Sequence, residues 1–244
     1  MQTNKADIFA QLKREILPLQ GIKSMLPGTS KDHKLGPIRF AFANAHFPLG
    51  AIHEFLCEEA ENAAASAGFI SGLISSLLKA EASVIWVSAK QTIFPPALIS
   101  FGLSPEKVIF IHSGKEKQLL WIIEEALKCK GVSAVVAEIG DLSFTYSRKL
   151  QLAVEGSSVT GFIMRRKEKN IQTSAAVTRW QIHPTQSQSI EGLPGVGYPA
   201  WNVDLLKVRN GKPAKWKVAW ASGKFVPIQE EPAFAFKSEE RKAG

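Results

Sequence analysis

The sequence has little cysteine, since Cys57 and Cys129 are the only two among 244 residues. Both lie within apolar stretches, a pattern that argues against a disulfide scaffold and favours a reducing compartment. No window approaches the roughly 18 consecutive apolar residues of a membrane helix. The N-terminus lacks the apolar segment and small-residue cleavage site of a signal peptide. We therefore expect a cytoplasmic protein that does not enter a membrane.

Residue types that bind metals or attack carbonyl groups are present, but they lack the sequence spacings of metal sites and hydrolase active sites. The five histidines show no paired ligand spacing, and neither cysteine has the CxxC partner of a zinc site. No serine stands in the G-x-S-x-G setting of a hydrolase nucleophile. The sequence therefore predicts neither a metal site nor a hydrolase triad.

A phosphate-binding loop is missing where the pattern of the chain would place one. Residues 51–56 read as an apolar strand, 57–62 as a polar turn, and a small-residue helix begins near Ala63. In a P-loop protein the same strand, loop and helix carry G-x-x-x-x-G-K-[ST] and hold a nucleotide phosphate. Here the glycine positions fall on Cys57 and Asn62, and the Lys-Thr positions fall on Ala63 and Ala64.

Acidic side chains replace the phosphate-binding groups. Glu58, Glu59 and Glu61 stand where a triphosphate would have to lie, and two like charges about 4 Å apart near a surface repel by roughly 4 kcal/mol. We therefore expect no nucleotide cofactor. The same glutamates could stabilise the helix N-terminus through the macrodipole and its free N–H groups, or form an acidic binding site.

The charge of the chain is uneven. The formal net charge is +8, and residues 161–244 hold 14 Lys/Arg against 7 Asp/Glu, whereas residues 41–160 hold 9 against 12. A basic C-terminal third indicates an acidic partner, either nucleic acid or an acidic protein surface.

The arrangement of apolar segments predicts an α/β fold with a mostly parallel central sheet and helices on both faces. Strands are predicted at 38–42, 51–56, 83–88, 108–112 and 134–139, and helices at 95–101, 116–130 with Gly131 as its cap, and 147–155. Strands without intervening helices follow at 159–165, 174–182, 203–209 and 215–219, the last two joined by an Asn210-Gly211 turn. The sheet therefore gains a C-terminal antiparallel extension that ends in a β-hairpin.

We divide the chain into three parts. Residues 1–40 form an N-terminal helix, predicted at 6–19, and a connector. Residues 41–228 form one core domain, because α/β folds of this length are commonly single domains. Residues 229–244 form a charged, flexible tail.

Several dispersed phrases resemble the ImuA family, which is also grouped with SulA-like proteins. They cover about residues 45–226 and read, in order, GAIHEF, FPPALISFGLSPEKVIF, LLWIIEEALKC, RKLQLAVEGSSVTGFIMR, SAAVTRWQIHP and WNVDLLKVRNGKPAKWKVAW. The resemblance implies a RecA-like core without catalysis, acting as an accessory protein in SOS-induced mutagenic translesion synthesis. It implies two partners, ImuB (which is an inactive Y-family-polymerase-like protein) and an error-prone C-family polymerase. In some members RecA is a further partner.

The RecA pattern identifies further positions. Glu138 stands at or near the place of the magnesium-binding aspartate, with Asp141 soon after, and both are interpreted as strand-end and helix-capping residues. The two DNA-binding loops would fall near 140–145 and 165–173. Both are short, which argues against a RecA-like filament. The second loop carries Arg165, Arg166, Lys167 and Lys169, which could engage a phosphate backbone.

The predicted hairpin is a second candidate surface. It carries the basic residues Lys207, Arg209, Lys212, Lys215 and Lys217, interleaved with Trp216 and Trp220. Such a pattern can hold single-stranded DNA by charge and base stacking. It also fits an ordinary half-buried strand, in which Trp216 faces the core and the lysines face solvent.

Three functional hypotheses follow. The first is an adaptor that binds protein partners and single-stranded DNA in a mutagenic polymerase assembly, with Trp121 a core residue or a docking residue. The second is a SulA-like cell-division inhibitor that binds the tubulin-like division protein, although the basic hairpin argues against it. The third is an enzyme that binds nucleotide in a non-standard way.

Overall fold

The computed structural model describes residues 32–78, 81, 83–166, 172–188 and 196–228. The predicted helix at 6–19, the predicted tail at 229–244 and the candidate residues Lys167 and Lys169 lie outside these ranges.

Nine strands of the described residues form one sheet. They are β1 (Ile52–Cys57), β2 (Val84–Ser88), β3 (Val108–His112), β4 (Ala134–Ile139), β5 (Thr160–Arg166), β6 (Thr178–Gln188), β7 (Tyr198–Val208), β8 (Ala214–Ala221) and β9 (Lys224–Pro227). The order across the sheet is β3-β2-β4-β5-β1-β6-β7-β8-β9. Every pair from β3 to β6 is parallel, and the pairs from β6 to β9 are antiparallel. The predicted α/β class with an antiparallel extension is confirmed.

Helices cover both faces of the parallel part of the sheet. On one face lies α1 (Ala60–Leu77), together with the 3₁₀ helices Asp32–Ala41 and Pro95–Phe101. On the other face lie α2 (Glu116–Lys128) and α3 (Phe144–Ser157). Strands β2 and β4 are buried along their whole length, which explains their continuous apolar sequences.

The two faces have different cores. The core beneath α1 is rich in aromatic rings: Phe55 stacks on Trp180 with centroids 6.0 Å apart, and Phe225 lies 4.9 Å from both Phe69 and Trp220. The core beneath α2 and α3 is aliphatic. Most of the large side chains of the antiparallel strands therefore lie against α1.

The predicted strand at 38–42 is wrong, because Asp32–Ala41 form a 3₁₀ helix with a kink at Gly36. Leu35, Ile38 and Ala41 are buried in the core under α1. Their spacing of three residues matches a helix with three residues per turn. Part of the segment that we assigned to the connector therefore packs on the core.

Other boundaries also differ from the predictions. Helix α1 begins at Ala60 rather than Ala63, and α2 ends at Lys128, with Cys129 rather than Gly131 at its cap. Strands β5 and β6 run parallel to β1, so the antiparallel part begins only with β7. Strand β9 was not predicted; its signal is Ser222-Gly223, a two-residue turn with positive φ at both positions.

Two local predictions are confirmed. Residues Pro95–Phe101 form a short helix that ends at Gly102, which adopts the left-handed conformation with φ 77°. Strands β7 and β8 pair as a hairpin, and Asn210 takes a positive φ of 58° in the turn between them.

We expect the same substitution to have opposite effects in α1 and α3. A Cβ on Gly72 would lie 2.9 Å from the Phe225 ring and 3.1 Å from the Trp220 ring, whereas a Cβ on Gly156 meets nothing within 4 Å. Gly72→Ala should therefore destabilise the protein by about 1–3 kcal/mol through overpacking. Gly156→Ala should stabilise it by up to about 1 kcal/mol through reduced backbone entropy. Urea unfolding measures both, and equal effects of the two substitutions would contradict this packing of α1.

Candidate functional site

The connection between β1 and α1 is two residues long. Glu58 and Glu59 alone separate Cys57 at the end of the strand from Ala60 at the start of the helix. Asn62, Ala63 and Ala64, which align with the end of a phosphate loop, are therefore helical. A phosphate loop holds its ligand with backbone N–H groups of a longer non-helical segment. The two-residue connection is therefore too short to form such a loop.

The glutamates around this connection face solvent. Glu58, Glu59 and Glu61 are all exposed, and the Glu58 carboxylate accepts a hydrogen bond of 3.1 Å from the Gln181 amide. Glu59 is the N-cap of α1, but its side chain makes no capping hydrogen bond. Glu61 lies in the first turn, where a negative charge complements the helix dipole. Both roles that the sequence allowed, helix stabilisation and an acidic binding site, fit this placement.

A groove of about 420 Å³ lies between the first half of α1 and the 3₁₀ helix Pro95–Phe101. Its walls are mostly small or apolar side chains, namely Ala60, Ala63, Ala64, Ala67, Gly68, Ile93, Phe94, Ala97, Leu98, Phe101 and Met164. Thr92, Glu138 and Arg166 form its polar part. Phe94 stands at the groove with 71% of its surface exposed, and Ile99 on the same 3₁₀ helix is 63% exposed.

Glu138 is a buried hydrogen-bond acceptor beside this groove. Its carboxylate accepts from Trp86 Nε1 at 3.0 Å, from Thr92 Oγ1 at 2.7 Å and from Arg166 Nη2 at 2.7 Å. Arg166 is therefore engaged, although 42% of its side chain is exposed. The interpretation of Glu138 as a strand-end residue agrees with its place in β4.

Asp141 does not cap a helix as interpreted from the sequence. Its carboxylate accepts from Arg165 Nη2 at 3.2 Å and from the Leu142 N–H. The N-cap of α3 is Ser143, whose hydroxyl accepts a hydrogen bond of 3.2 Å from Tyr146 N–H. Serine at this position is the ordinary N-cap signal.

A buried charge network lies at the centre of the sheet. Glu54 on β1 is fully buried and accepts hydrogen bonds from Arg165 on β5 and, at 2.7 Å each, from Arg179 on β6 and the hydroxyl of Ser174. Lys207 on β7 donates to the Ser174 carbonyl at 2.8 Å. Glu54 was not predicted as a site residue, because its only signal in the sequence is a charge within an apolar strand.

Burial and hydrogen bonding act in opposite directions on Glu54. Burial alone would raise the pKa of its carboxyl, but the hydrogen bonds from Arg165, Ser174 and Arg179 outweigh it, and the pKa lies below its ordinary value. Arg165 is 2% exposed. It therefore does not face solvent, although the sequence made it a candidate for DNA contact.

Lysines and tryptophans of the predicted hairpin lie on opposite faces of the sheet. Trp220 is buried and Trp216 packs against the core beneath α1, as the alternative interpretation expected. Lys215 and Lys217, which alternate with them, point to the other face. Arg209 and Lys212 are exposed at the turn. Base stacking on these two tryptophans is therefore unavailable, and charge is what the hairpin can offer a ligand.

Lys207 is less accessible than the other basic residues of the hairpin. Burial and the nearby Arg179 lower the pKa of its amine below the ordinary value. Its side chain is half-buried beside the Glu54 network.

Trp121 is 61% exposed, so its interpretation as a core residue is wrong. The buried residues of α2 are Leu119, Ile123, Ala126 and Leu127. Trp121 lies about 200° around the helix from Leu119 at 3.6 residues per turn. This offset was not evident from the sequence because the apolar stripe of α2 is broad. Docking of a partner is the role that this placement leaves open.

Other reactive groups of the described residues are isolated. Cys57 and Cys129 are free thiols, and burial raises the pKa of Cys57 to about 11. Within the described ranges, no three His, Cys, Asp or Glu side chains lie together in a way that could hold a metal ion. No helix in the same ranges is long and apolar enough to span a membrane.

Comparisons with known proteins agree with the predicted family and fold. The chain is 33% identical over 187 residues to the protein ImuA of Caulobacter vibrioides strain NA1000/CB15N, a match that covers 72% of this chain and 77% of that protein; strain ATCC 19089/CB 15 gives the same values. The cell division inhibitor SulA of Photorhabdus laumondii is 29% identical over 96 residues, covering 39% of this chain and 54% of that protein.

The crystal structure of the RadB recombinase superposes with a TM-score of 0.50 at 9% identity, over 74% of this chain and 92% of that one. The likeness at this identity confirms the RecA-like fold and nothing more. A scan against models of protein families finds none that matches.

We expect Glu54→Ala to destabilise the protein by about 3–5 kcal/mol, because it removes the buried carboxylate shared by Arg165, which is buried, and Arg179, which is 12% exposed. The matched control is Asp204→Ala, which breaks the pair with Lys215, whose side chain is 77% exposed. That change should cost less than about 1 kcal/mol. Urea unfolding checks both, and a loss below 1 kcal/mol for Glu54→Ala would contradict the network.

His53 should make stability depend on pH. Its Nε2–H donates to the Pro48 carbonyl at 2.9 Å, and its Nδ1 accepts from the Thr178 hydroxyl at 2.7 Å, so the neutral ring is fully hydrogen-bonded. Burial lowers the pKa of His53 from 6.5 to about 3. Because the unfolded chain binds this proton and the folded chain does not, this contribution to stability is complete above pH 6.5 and is lost progressively as pH falls towards 3.

At pH 5 we expect His53 to have cost about 2 kcal/mol relative to pH 7.5. His53→Gln removes the titrating group. The unfolding free energy of this variant should therefore fall less steeply between pH 6.5 and 5, and the difference in slope should correspond to about one bound proton. Parallel pH profiles of the two proteins in urea unfolding would contradict the assignment, whatever the variant loses in packing.

Proposed function

The chain belongs to the ImuA family, and on that premise we propose that it is an accessory protein of SOS mutagenesis that binds other proteins rather than catalysing a reaction. The observation that carries the proposal is the two-residue connection of Glu58 and Glu59 between β1 and α1. A RecA-like enzyme needs a phosphate loop at this place. In this protein the same place holds an acidic turn, with an apolar groove beside it.

The electrostatics of the connection support independence from nucleotide. Three exposed carboxylates repel a triphosphate, and the helix N-terminus that would attract it is already complemented by Glu61. Glu138 is occupied by Trp86, Thr92 and Arg166. The adaptor should therefore act in the same way with and without ATP.

We propose that the partner is an ImuB-type polymerase-like protein, through which an error-prone C-family polymerase is engaged, and that RecA is a further candidate. The groove beside α1 suits such a partner. Its alanine-rich wall can receive an apolar side chain, and the exposed Phe94 enlarges the apolar area. Glu58, Glu59 and Glu61, which are neighbours in sequence of the groove residue Ala60, favour an apolar anchor flanked by Lys or Arg.

A SulA-like division inhibitor is the alternative, because the SulA of Photorhabdus laumondii matches 39% of the chain. Such a protein would bind the tubulin-like division protein. An inhibitor should suppress polymerisation of the purified division protein in a light-scattering assay at equal concentration. Absence of any suppression would dismiss this alternative.

The experiment is capture of a tagged chain from cells given DNA damage, with mass spectrometry of the bound proteins. Wild type should recover a Y-family-like polymerase protein equally with ATP–Mg²⁺ and after nucleotide depletion. Ala64→Trp, which fills the groove from an exposed position on α1, should reduce recovery by roughly 30-fold, the equivalent of about 2 kcal/mol. Lys117→Trp, an exposed position on α2, is the control and should recover the partner like wild type.

The outcomes separate the hypotheses. Recovery of no polymerase or replication protein by wild type would overturn the adaptor, and recovery of the division protein would favour the inhibitor. Recovery that Ala64→Trp leaves unchanged would overturn the groove as the docking site. Recovery that requires ATP would contradict nucleotide independence.

A further inference from the structure

The antiparallel strands β6–β9 have one apolar and one polar face. Cross-strand neighbours share a face, so the pairs Ile182–Val203 and Val203–Trp216 define the face against α1. The pairs His183–Asn202 and Asn202–Lys217 define the opposite face. Lys215 shares this opposite face through its partner Asp204, and Lys224 does so through Ala221.

No helix of the described ranges packs on this opposite face. Helices α2 and α3 lie on the same side of the sheet, but their apolar core takes its strand residues from β1, β2, β4 and β5. Asn202, Lys215 and Lys224 are accordingly exposed, whereas Lys207 and Lys217 are half-buried. Lys207 pairs with Arg179 next to a register shift between β6 and β7, which puts it on the same face as Gln181. We call the residues Lys207, Lys215, Lys217 and Lys224, with Gln181 and Asn202, the lysine face.

The lysine face carries a strong excess of positive charge. Asp204 is the only acidic residue in the sequences of β6, β7, β8 and β9, and it pairs with Lys215 at 2.6 Å. Arg209 and Lys212 add two exposed charges at the adjoining turn. A surface of this kind attracts a polyanion.

The four lysines also lie in a line. Lys207 is on β7, Lys215 and Lys217 are on β8, and Lys224 is on β9. According to the strand register, each of these lysines lies further along the strand direction than the one before it. With about 3.3 Å per residue and 4.8 Å between strands, they form a diagonal stripe roughly 30 Å long. A linear stripe favours a linear polyanion over a globular acidic protein.

We infer that the lysine face binds single-stranded DNA through its phosphate backbone. A flexible strand can place successive phosphates along a stripe on a flat sheet. A duplex reader instead inserts a helix or ribbon into a groove, and the lysine face is a continuous sheet surface. Because Trp216 and Trp220 face the core, binding depends on charge with little base stacking, and it should therefore be sequence-tolerant and strongly salt-dependent. This inference goes beyond the accessory role and does not depend on which protein occupies the groove.

The test is binding of purified full-length protein to a fluorescent oligothymidylate of roughly 20 nucleotides, longer than the ~4–16 nucleotides covered by one OB fold. Affinity is measured across a range of salt concentrations. The triple variant Lys215→Gln, Lys217→Gln, Lys224→Gln should reduce the slope of log affinity against log salt by about 2, since each phosphate contact to a single strand contributes about 0.7. Thermal unfolding verifies that the variant is folded.

The control has the same net charge as the test variant. Lys90→Gln, Lys117→Gln, Lys130→Gln removes three exposed lysines from the parallel half of the molecule and should leave the slope unchanged. An equal loss of slope in both triple variants, or no binding by wild type at low salt, would overturn the inference. Tighter binding to a duplex of the same length than to the single strand would overturn the choice of single-stranded DNA. None of these results depends on capture of a protein partner.

Discussion

The carboxylate of Glu54 holds together the three central strands of the sheet. Strand β1 lies between β5 and β6, and its buried Glu54 binds an arginine from each of them, Arg165 on one side and Arg179 on the other. Replacing such a network by apolar residues is often neutral in stability, whereas removing one member is costly. Its contribution is therefore best understood as specificity, because a slip of one residue in any of the three strands would leave a buried charge without its partner.

This fixed centre places the groove and the lysine face on opposite sides of the sheet. The end of β1 leads through Glu58 and Glu59 into α1, whose alanines form one wall of the groove. On the far side of β6 the sheet continues as three antiparallel strands, with their aromatic residues under α1 and their lysines facing away from it. The groove and the four lysines therefore lie on different surfaces, and the two regions meet where Gln181 donates to Glu58.

Much of the fold could be predicted because the strongest signals are local. The apolar segments 83–88 and 134–139 are strands buried on both faces, and Asn210-Gly211 marks a hairpin on its own. The Glu54 network could not be predicted, since Arg165 and Arg179 lie 111 and 125 residues further along the chain. The start of α1 was predicted too late because the polar residues 57–62 read as a turn, and Glu59 at its N-cap is not one of the usual N-cap residues. Residues 38–42 resembled a strand because Ile38, Phe40 and Phe42 alternate with Arg39 and Ala41, although Phe40 is exposed in the 3₁₀ helix that the segment forms.

The short connection between β1 and α1 also limits what substitutions alone can change. Substituting lysine and glycine at Asn62 or Ala63 would place them in the first turns of a helix, where they could not form a loop around a phosphate. A phosphate loop at this place would require an insertion between Cys57 and Ala60 together with removal of several glutamates. Single substitutions therefore cannot turn this connection into a phosphate loop, whereas they can readily alter the side chains that border the groove.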